Sequence, residues 1–214
     1  ELESYNSLVK SINNCMNRGS VMGVGNVGGI VGSSHIIAKC DNTGPDTIVS
    51  LGINNCSNLG QIVGETYAGG ICGNVYVAGA YYHGNSGYSD YPGNQGQIGI
   101  NNCVNTNING LIGNLSFGNS YPTHSSYYQS VFGDYSNSYY LYDISNNIGQ
   151  ENPIGTKSGS GNYYTRSAVG CYLKGNKSYD IVDLLNTGAQ SNSTYLSWKY
   201  ELIDGYVCPV LVFE

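Results

Sequence analysis

Charge is what this sequence has least of. Charged residues make up 10% of its 214 positions, against about 25% in an ordinary globular chain. The few basic residues are scattered and the net charge is -6, which argues against the clustered positive surface that a nucleic-acid backbone requires. No run is long and apolar enough to span a bilayer as a helix. No signal peptide is present and the sequence starts at Glu1, so a processed or truncated product is expected. His35, His83 and His124 are far apart and lack a His-Glu-x-x-His neighbourhood, so metallopeptidase chemistry is not expected. The seven cysteines, at 15, 40, 56, 72, 103, 171 and 208, cannot all pair internally. They also lack the Cys-x-x-Cys blocks of a zinc site. The acids that a polysaccharide lyase or hydrolase would cluster on one face are missing too. Asp134 and Asp143 come nearest, and loop surface accounts for them. No catalytic residue, metal or cofactor is expected.

What is present is glycine, 31 residues, and tyrosine, 21 residues. That aromatic content and a regular Val/Ile beat point to an ordered chain. One phrase recurs as Ile12-Asn13-Asn14-Cys15-Met16-Asn17-Arg18-Gly19, as Ile53-Asn54-Asn55-Cys56-Ser57-Asn58-Leu59-Gly60, and as Ile100-Asn101-Asn102-Cys103-Val104-Asn105. A looser copy is Ala38-Lys39-Cys40-Asp41-Asn42-Thr43-Gly44. A second phrase, Gly28-Gly29-Ile30-Val31-Gly32, trails Cys15 as Gly69-Gly70-Ile71-Cys72-Gly73 trails Cys56. Gly110-Leu111-Ile112-Gly113 follows Cys103 at a shorter distance, so that rung is expected to be shortened.

Self-similarity of this kind reads as short strands stacked in parallel. Equivalent residues on successive rungs then lie about 4.8 Å apart and form ladders. Cys15, Cys40, Cys56 and Cys103 are expected as a column of buried thiols filling a tight interior. Asn17, Asn42, Asn58 and Asn105 are expected as an amide ladder at a corner. Glycine is expected to supply positive φ and close approach where the chain turns. Gly23-Val24-Gly25-Asn26-Val27-Gly28 matches a dinucleotide fingerprint literally, but a strand phrase follows it where that motif needs a helix.

These phrases resemble the GLUG motif, a Gly-Leu-apolar-Gly repeat of bacterial surface and adhesin-like proteins. Gly110-Leu111-Ile112-Gly113 fits it literally, and 29–32 and 70–73 fit it with Ile for Leu. The resemblance covers residues 12–115 and implies a cell-surface or extracellular β-solenoid without catalytic residues. The expected fold is accordingly all-β, an irregular β-helix-like solenoid over residues 1–118. A Tyr-rich insertion near 74–96 should leave the stack. An irregular Tyr-rich stretch and a C-terminal cap should occupy 119–214.

Within that cap a helix is expected from Ser178 to Gly188, with Ile181, Val182, Leu184 and Leu185 as its apolar face. Strands should follow over Tyr195–Leu202 and Tyr206–Phe213, and Cys171–Cys208 is the first disulfide to test. Two functions from different classes follow. One is a structural or adhesive surface protein that self-associates, as a subunit of a fibre or layer, or grips a host surface. The other is a carbohydrate-binding module that stacks sugars on Tyr81, Tyr82, Tyr88, Tyr91, Tyr139 and Tyr140. The competing explanation for these rings is that they pack the loops onto the wall.

Overall fold

A computed structural model describes residues 2–4, 8–38, 48–79, 95–119, 129–134, 139–140, 142–143, 148–149, 154–158, 162–163, 181–203 and 206–213. It is mostly β-strand with one helix, as the composition implies. After β1 (Leu2–Ser4), a first pass of the chain contributes β2 (Leu8–Asn13), β3 (Met16–Asn17), β4 (Val21–Gly23), β5 (Asn26–Gly28) and β6 (Val31–Ala38). A second repeats the order as β7 (Ile48–Asn54), β8 (Ser57–Asn58), β9 (Ile62–Gly64), β10 (Tyr67–Gly69) and β11 (Cys72–Gly79). The third is shorter, with β12 (Gln95–Asn101), β13 (Val104–Asn105) and β14 (Ile112–Asn119). A fourth gives β15 (Gln129–Asp134), β16 (Tyr139–Tyr140), the antiparallel pair β17 (Tyr142–Asp143) and β18 (Ile148–Gly149), and β19 (Ile154–Ser158). Then come β20 (Asn162–Tyr163), α1 (Ile181–Ala189), β21 (Trp198–Ile203) and β22 (Tyr206–Leu211).

Successive passes pair in parallel and in register. One five-stranded sheet runs β2-β7-β12-β15-β20 and another β1-β6-β11-β14-β19. Shorter sets join β3-β8-β13-β16, β4-β9 and β5-β10. Ile12 stands beside Ile53, which stands beside Ile100. Period-two alternation decides which side chains turn inward. Along β7, Val49, Leu51 and Ile53 are buried while Ile48 is exposed. The inward residues of both five-stranded sheets form one core with Ile36, Val75, Val77, Ile98 and Leu115, closed by Ile71, Leu111, Cys56, Cys72 and Cys103.

Register fixes where the sequence copies belong. β2 pairs directly with β7 and β3 directly with β8, so no strand of the Cys40 copy stands between the Cys15 and Cys56 copies. Cys40 and Asn42 themselves lie outside the described residues. The expected insertion at 74–96 is narrower than its sequence bounds. Asn74–Gly79 completes β11 and Gln95 opens β12, because Val75 and Val77 are needed as inward residues. Tyr76 is therefore a strand residue, and its ring meets the His35 ring edge-on at 5.5 Å. The shortened third pass has a direct cause. Thr106–Leu111 bridges β13 to β14 with no counterpart of β9 or β10.

The C-terminal strands and helix pack differently from the expected cap. Ile181, Val182, Leu185, Ala189, Trp198 and Leu211 bury against Val104, with Met16 and Tyr200 around them. Met16, Ser57 and Val104 are one in-register column, so this unit lies along the side of three passes. Leu184, expected on the apolar face, is exposed. It sits between Val182 and Leu185, whose side chains occupy the face that meets the strands. Burying a side chain such as Leu185 or Ile181 stabilises by about 1.5–3 kcal/mol. The exposed Arg18–Glu201 ion pair, at 2.6 Å, is screened by solvent and adds little. Packing therefore holds the unit in place. Among the described residues no helix is long and apolar enough to cross a membrane.

Gly28, Gly29, Gly69 and Gly70 act by close approach and not by positive φ. A Cβ on Gly70 would fall 1.9 Å from Asn105 Cγ, whereas one on Gly25 would meet nothing within 4 Å. Gly70→Ala should therefore cost about 1–3 kcal/mol through overpacking. Gly25→Ala should be neutral to within about 0.5 kcal/mol. Urea unfolding of both variants checks this, and equal midpoints would refute the close approach.

Candidate functional site

The phrase Ile-Asn-Asn-Cys-x-Asn builds one corner of the stack, and each of its asparagines forms a column. Asn54 donates from Nδ2 to Asn13 Oδ1 at 2.9 Å, and Asn101 to Asn54 at 2.9 Å. Asn55 donates to Asn14 at 2.7 Å and Asn102 to Asn55 at 2.7 Å. Asn17 donates to Asn58 at 2.8 Å and Asn58 to Asn105 at 2.9 Å. Asn55, Asn58 and Asn105 are fully buried, where an unpaired amide would cost about 1–3 kcal/mol. The repeated amide on the next pass removes that cost.

The second asparagine also makes the turn. Asn14, Asn55 and Asn102 have φ of 57°, 52° and 54°, the left-handed region that asparagine tolerates better than other non-glycine residues. Gly19, Gly28, Gly29, Gly60, Gly69 and Gly70 lie outside that region, which corrects the expectation that glycine turns the corner there. Gly29 and Gly70 instead leave space for the third asparagine. A Cβ on Gly29 would lie 2.4 Å from Asn58 Oδ1.

Of the expected ladder residues, Asn17, Asn58 and Asn105 meet in one column, and Asn42 lies outside the described residues. Tyr140 takes the next place, aligned with Asn105, as Tyr139 is with Val104. The amide ladder therefore gives way to tyrosine on the fourth pass. Tyr81, Tyr82, Tyr88 and Tyr91 lie outside the described residues. The columns through Asn13 and Asn14 were missed as ladders, although their signal, the Asn-Asn before Cys15, Cys56 and Cys103, stands in the repeats.

Cys15, Cys56 and Cys103 follow the corner on successive passes. Cys15 is half-buried, Cys56 and Cys103 are fully buried, and all are thiols, as are Cys72 and Cys208. Sγ of Cys56 donates to the Asn54 carbonyl at 3.1 Å and Sγ of Cys103 to that of Asn101 at 3.2 Å. Burial, and then the neighbouring Cys56, raises the Cys15 thiol. Burial raises Cys103 well above its usual value, while its hydrogen bond to Cys56 draws Cys56 down. Burial pushes Cys72 up to about 12, against a smaller lowering by its hydrogen bond with Asn74. Cys171, the expected partner of Cys208, lies outside the described residues. No group of three His, Cys, Asp or Glu that could hold a metal occurs among the described residues.

The C-terminal unit is fastened to this corner. Asn14 Nδ2 donates to the Thr194 carbonyl at 2.7 Å, and the Leu196 N–H donates to Asn14 Oδ1 at 3.0 Å. Asn55 Nδ2 donates to the Leu196 carbonyl at 2.9 Å and receives, on Oδ1, the Trp198 indole N–H at 2.6 Å. Residues 194–198 thus run along the amide column from the first pass to the second. On the side away from the second pass, β2, β3, β4 and β5 each end their sheets among the described residues. Val9 and Met22, on β2 and β4, are 74% and 71% exposed. The candidate site is this leading edge with its asparagine corner.

Two outcomes follow. Asn55→Gly keeps the left-handed turn but deletes four amide contacts, so it should cost about 2–4 kcal/mol and red-shift the emission of Trp198, the one tryptophan. Asn55→Ala should cost about 1 kcal/mol more, because it also strains φ; an alanine no worse than glycine in urea titrations would remove the corner role. The second outcome concerns pH. The folded chain holds Cys72 protonated beyond its usual 9.0, so above pH 9 the unfolded state loses a proton that the folded state keeps. Stability from this group is complete below pH 9 and falls by up to about 1.4 kcal/mol per pH unit toward about 12. Cys72→Ala should flatten that fall in denaturation curves taken between those limits.

No family model, curated protein or solved structure matches this chain.

Proposed function

We propose that this chain is a structural or adhesive protein of the cell surface or extracellular space that works by non-covalent association and carries no catalytic site. In this reading the parallel sets are the walls of an irregular β-solenoid, and the repeats are of the GLUG kind. The observation that carries the reading is the leading edge. Four parallel columns stop at β2, β3, β4 and β5 among the described residues. Unpaired strand edges are templates for a further strand. Low charge supports the same conclusion, since a chain with 10% charged residues has little repulsion to keep copies apart. Exposed Val9 and Met22 add apolar contact on that edge.

The purified chain should form ordered polymers or layers visible by negative-stain microscopy, with mass by light scattering rising with concentration. Val9→Glu with Met22→Glu places charge on the edge and should shift the material to monomer while leaving its circular dichroism unchanged. A parent protein that remains monomeric at high concentration refutes self-association.

A further inference from the structure

The amide columns at the corner do not all point the same way, and this polarity gives the leading edge a recognisable chemical pattern. In the Asn17 column each Nδ2 donates toward the later pass, from Asn17 to Asn58 and from Asn58 to Asn105. In the Asn13 and Asn14 columns each Nδ2 donates toward the earlier pass. The first pass therefore ends with a donor directed outward at Asn13 and an acceptor directed outward at Asn17. Asn13 Nδ2 donates one hydrogen to its own Ser11 Oγ at 3.0 Å, and Asn17 Oδ1 accepts its own Gly19 N–H at 3.2 Å. A primary amide has two hydrogens and two lone pairs, so each keeps capacity for one more bond.

Asn14, between them in sequence, is tied to the C-terminal unit: its Nδ2 donates to the Thr194 carbonyl and its Oδ1 accepts from the Leu196 N–H and from Asn55 Nδ2. The backbone continues the pattern. Ser57 N–H donates to the Cys15 carbonyl at 2.8 Å and Leu59 N–H to that of Asn17 at 2.9 Å. Met16 and Arg18 are their counterparts on the first pass, with the same N–H direction toward an earlier strand.

We propose that the leading edge is a docking site for an extended segment, laid down parallel and in register, that carries asparagine at the positions aligned with Asn13 and Asn17. The partner's first asparagine accepts from Asn13 Nδ2 through its Oδ1, and its third donates from Nδ2 to Asn17 Oδ1. Its backbone carbonyls accept from Met16 and Arg18. The Asn-Asn-Cys-x-Asn phrase supplies these groups. The fourth pass of a second copy does not, because Tyr140 stands in the asparagine column there. The occupant is therefore a chain segment bearing the phrase, and it is not the trailing end of a stacked copy. This inference rests on the association reading above and names the partner for the same edge.

The test uses dye-labelled peptides titrated against the full chain under reducing conditions, read by fluorescence anisotropy. A peptide of residues 8–19 should bind. Asn13→Ala or Asn17→Ala in that peptide should weaken binding by about 3- to 10-fold, the worth of one amide bond. A peptide of residues 129–140 should bind at least about threefold more weakly, because Tyr140 takes the place of the third asparagine. Failure of the parent peptide to bind and equal binding by all peptides would each overturn the proposal. If the chain assembles yet the peptides bind alike, self-association stands and the asparagine selectivity falls. If the chain stays monomeric while the peptides follow the expected order, the selectivity stands and self-association falls.

Discussion

An amide buried without charge nearby must find another amide, and the corner of this fold is organised around that constraint. Asn55, Asn58 and Asn105 are inaccessible to water, and each is paired by the same residue type one pass away. Across the first three passes asparagine recurs at these positions in the same register. A slip of one residue would set Asn54 against Asn14 and turn the inward residues Val49, Leu51 and Ile53 outward. Amide pairing and hydrophobic alternation therefore select the same register for different reasons. Each would penalise a shift by several kcal/mol, and together they leave a single alignment.

The same constraint links two sequence phrases that lie a dozen residues apart. Glycine of the second phrase is required because the third asparagine of the first phrase, on the following pass, fills the space where its Cβ would be. This holds for Gly29 against Asn58 and for Gly70 against Asn105. The separation between passes, in contrast, is free to vary. Paired asparagines are 41 residues apart between the first and second passes and 47 between the second and third. Chain outside the paired strands absorbs the difference. Irregular spacing in sequence is thus compatible with strict register in space, because register is set by the corner and the loop lengths do not enter.

The β content, the parallel recurrence and the asparagine column through Asn17, Asn58 and Asn105 were legible in the sequence, since period and composition carry them directly. The Asn14 column was less so. Its role depends on a positive φ, and a left-handed asparagine looks in sequence like any other. The Cys40 copy lies outside the described residues, and the direct pairing of β2 with β7 and of β3 with β8 leaves no strand of it between the Cys15 and Cys56 copies. The position of the C-terminal unit could not be read at all. A short amphipathic helix and a tryptophan announce a buried face, but which surface receives it depends on Met16, Ser57 and Val104 lining up across three passes. That alignment exists only after folding.

The C-terminal unit also makes the two ends of the stack unlike each other. Lying along the side, it engages the corner through Asn14 and Asn55, packs on Met16 and pairs Glu201 with Arg18. On the fourth pass Tyr140 stands where the Asn17 column would continue. Contact between stacked copies would then rest on main-chain edges and apolar side chains, whereas amide pairing at the corner would favour a segment that carries the asparagine phrase.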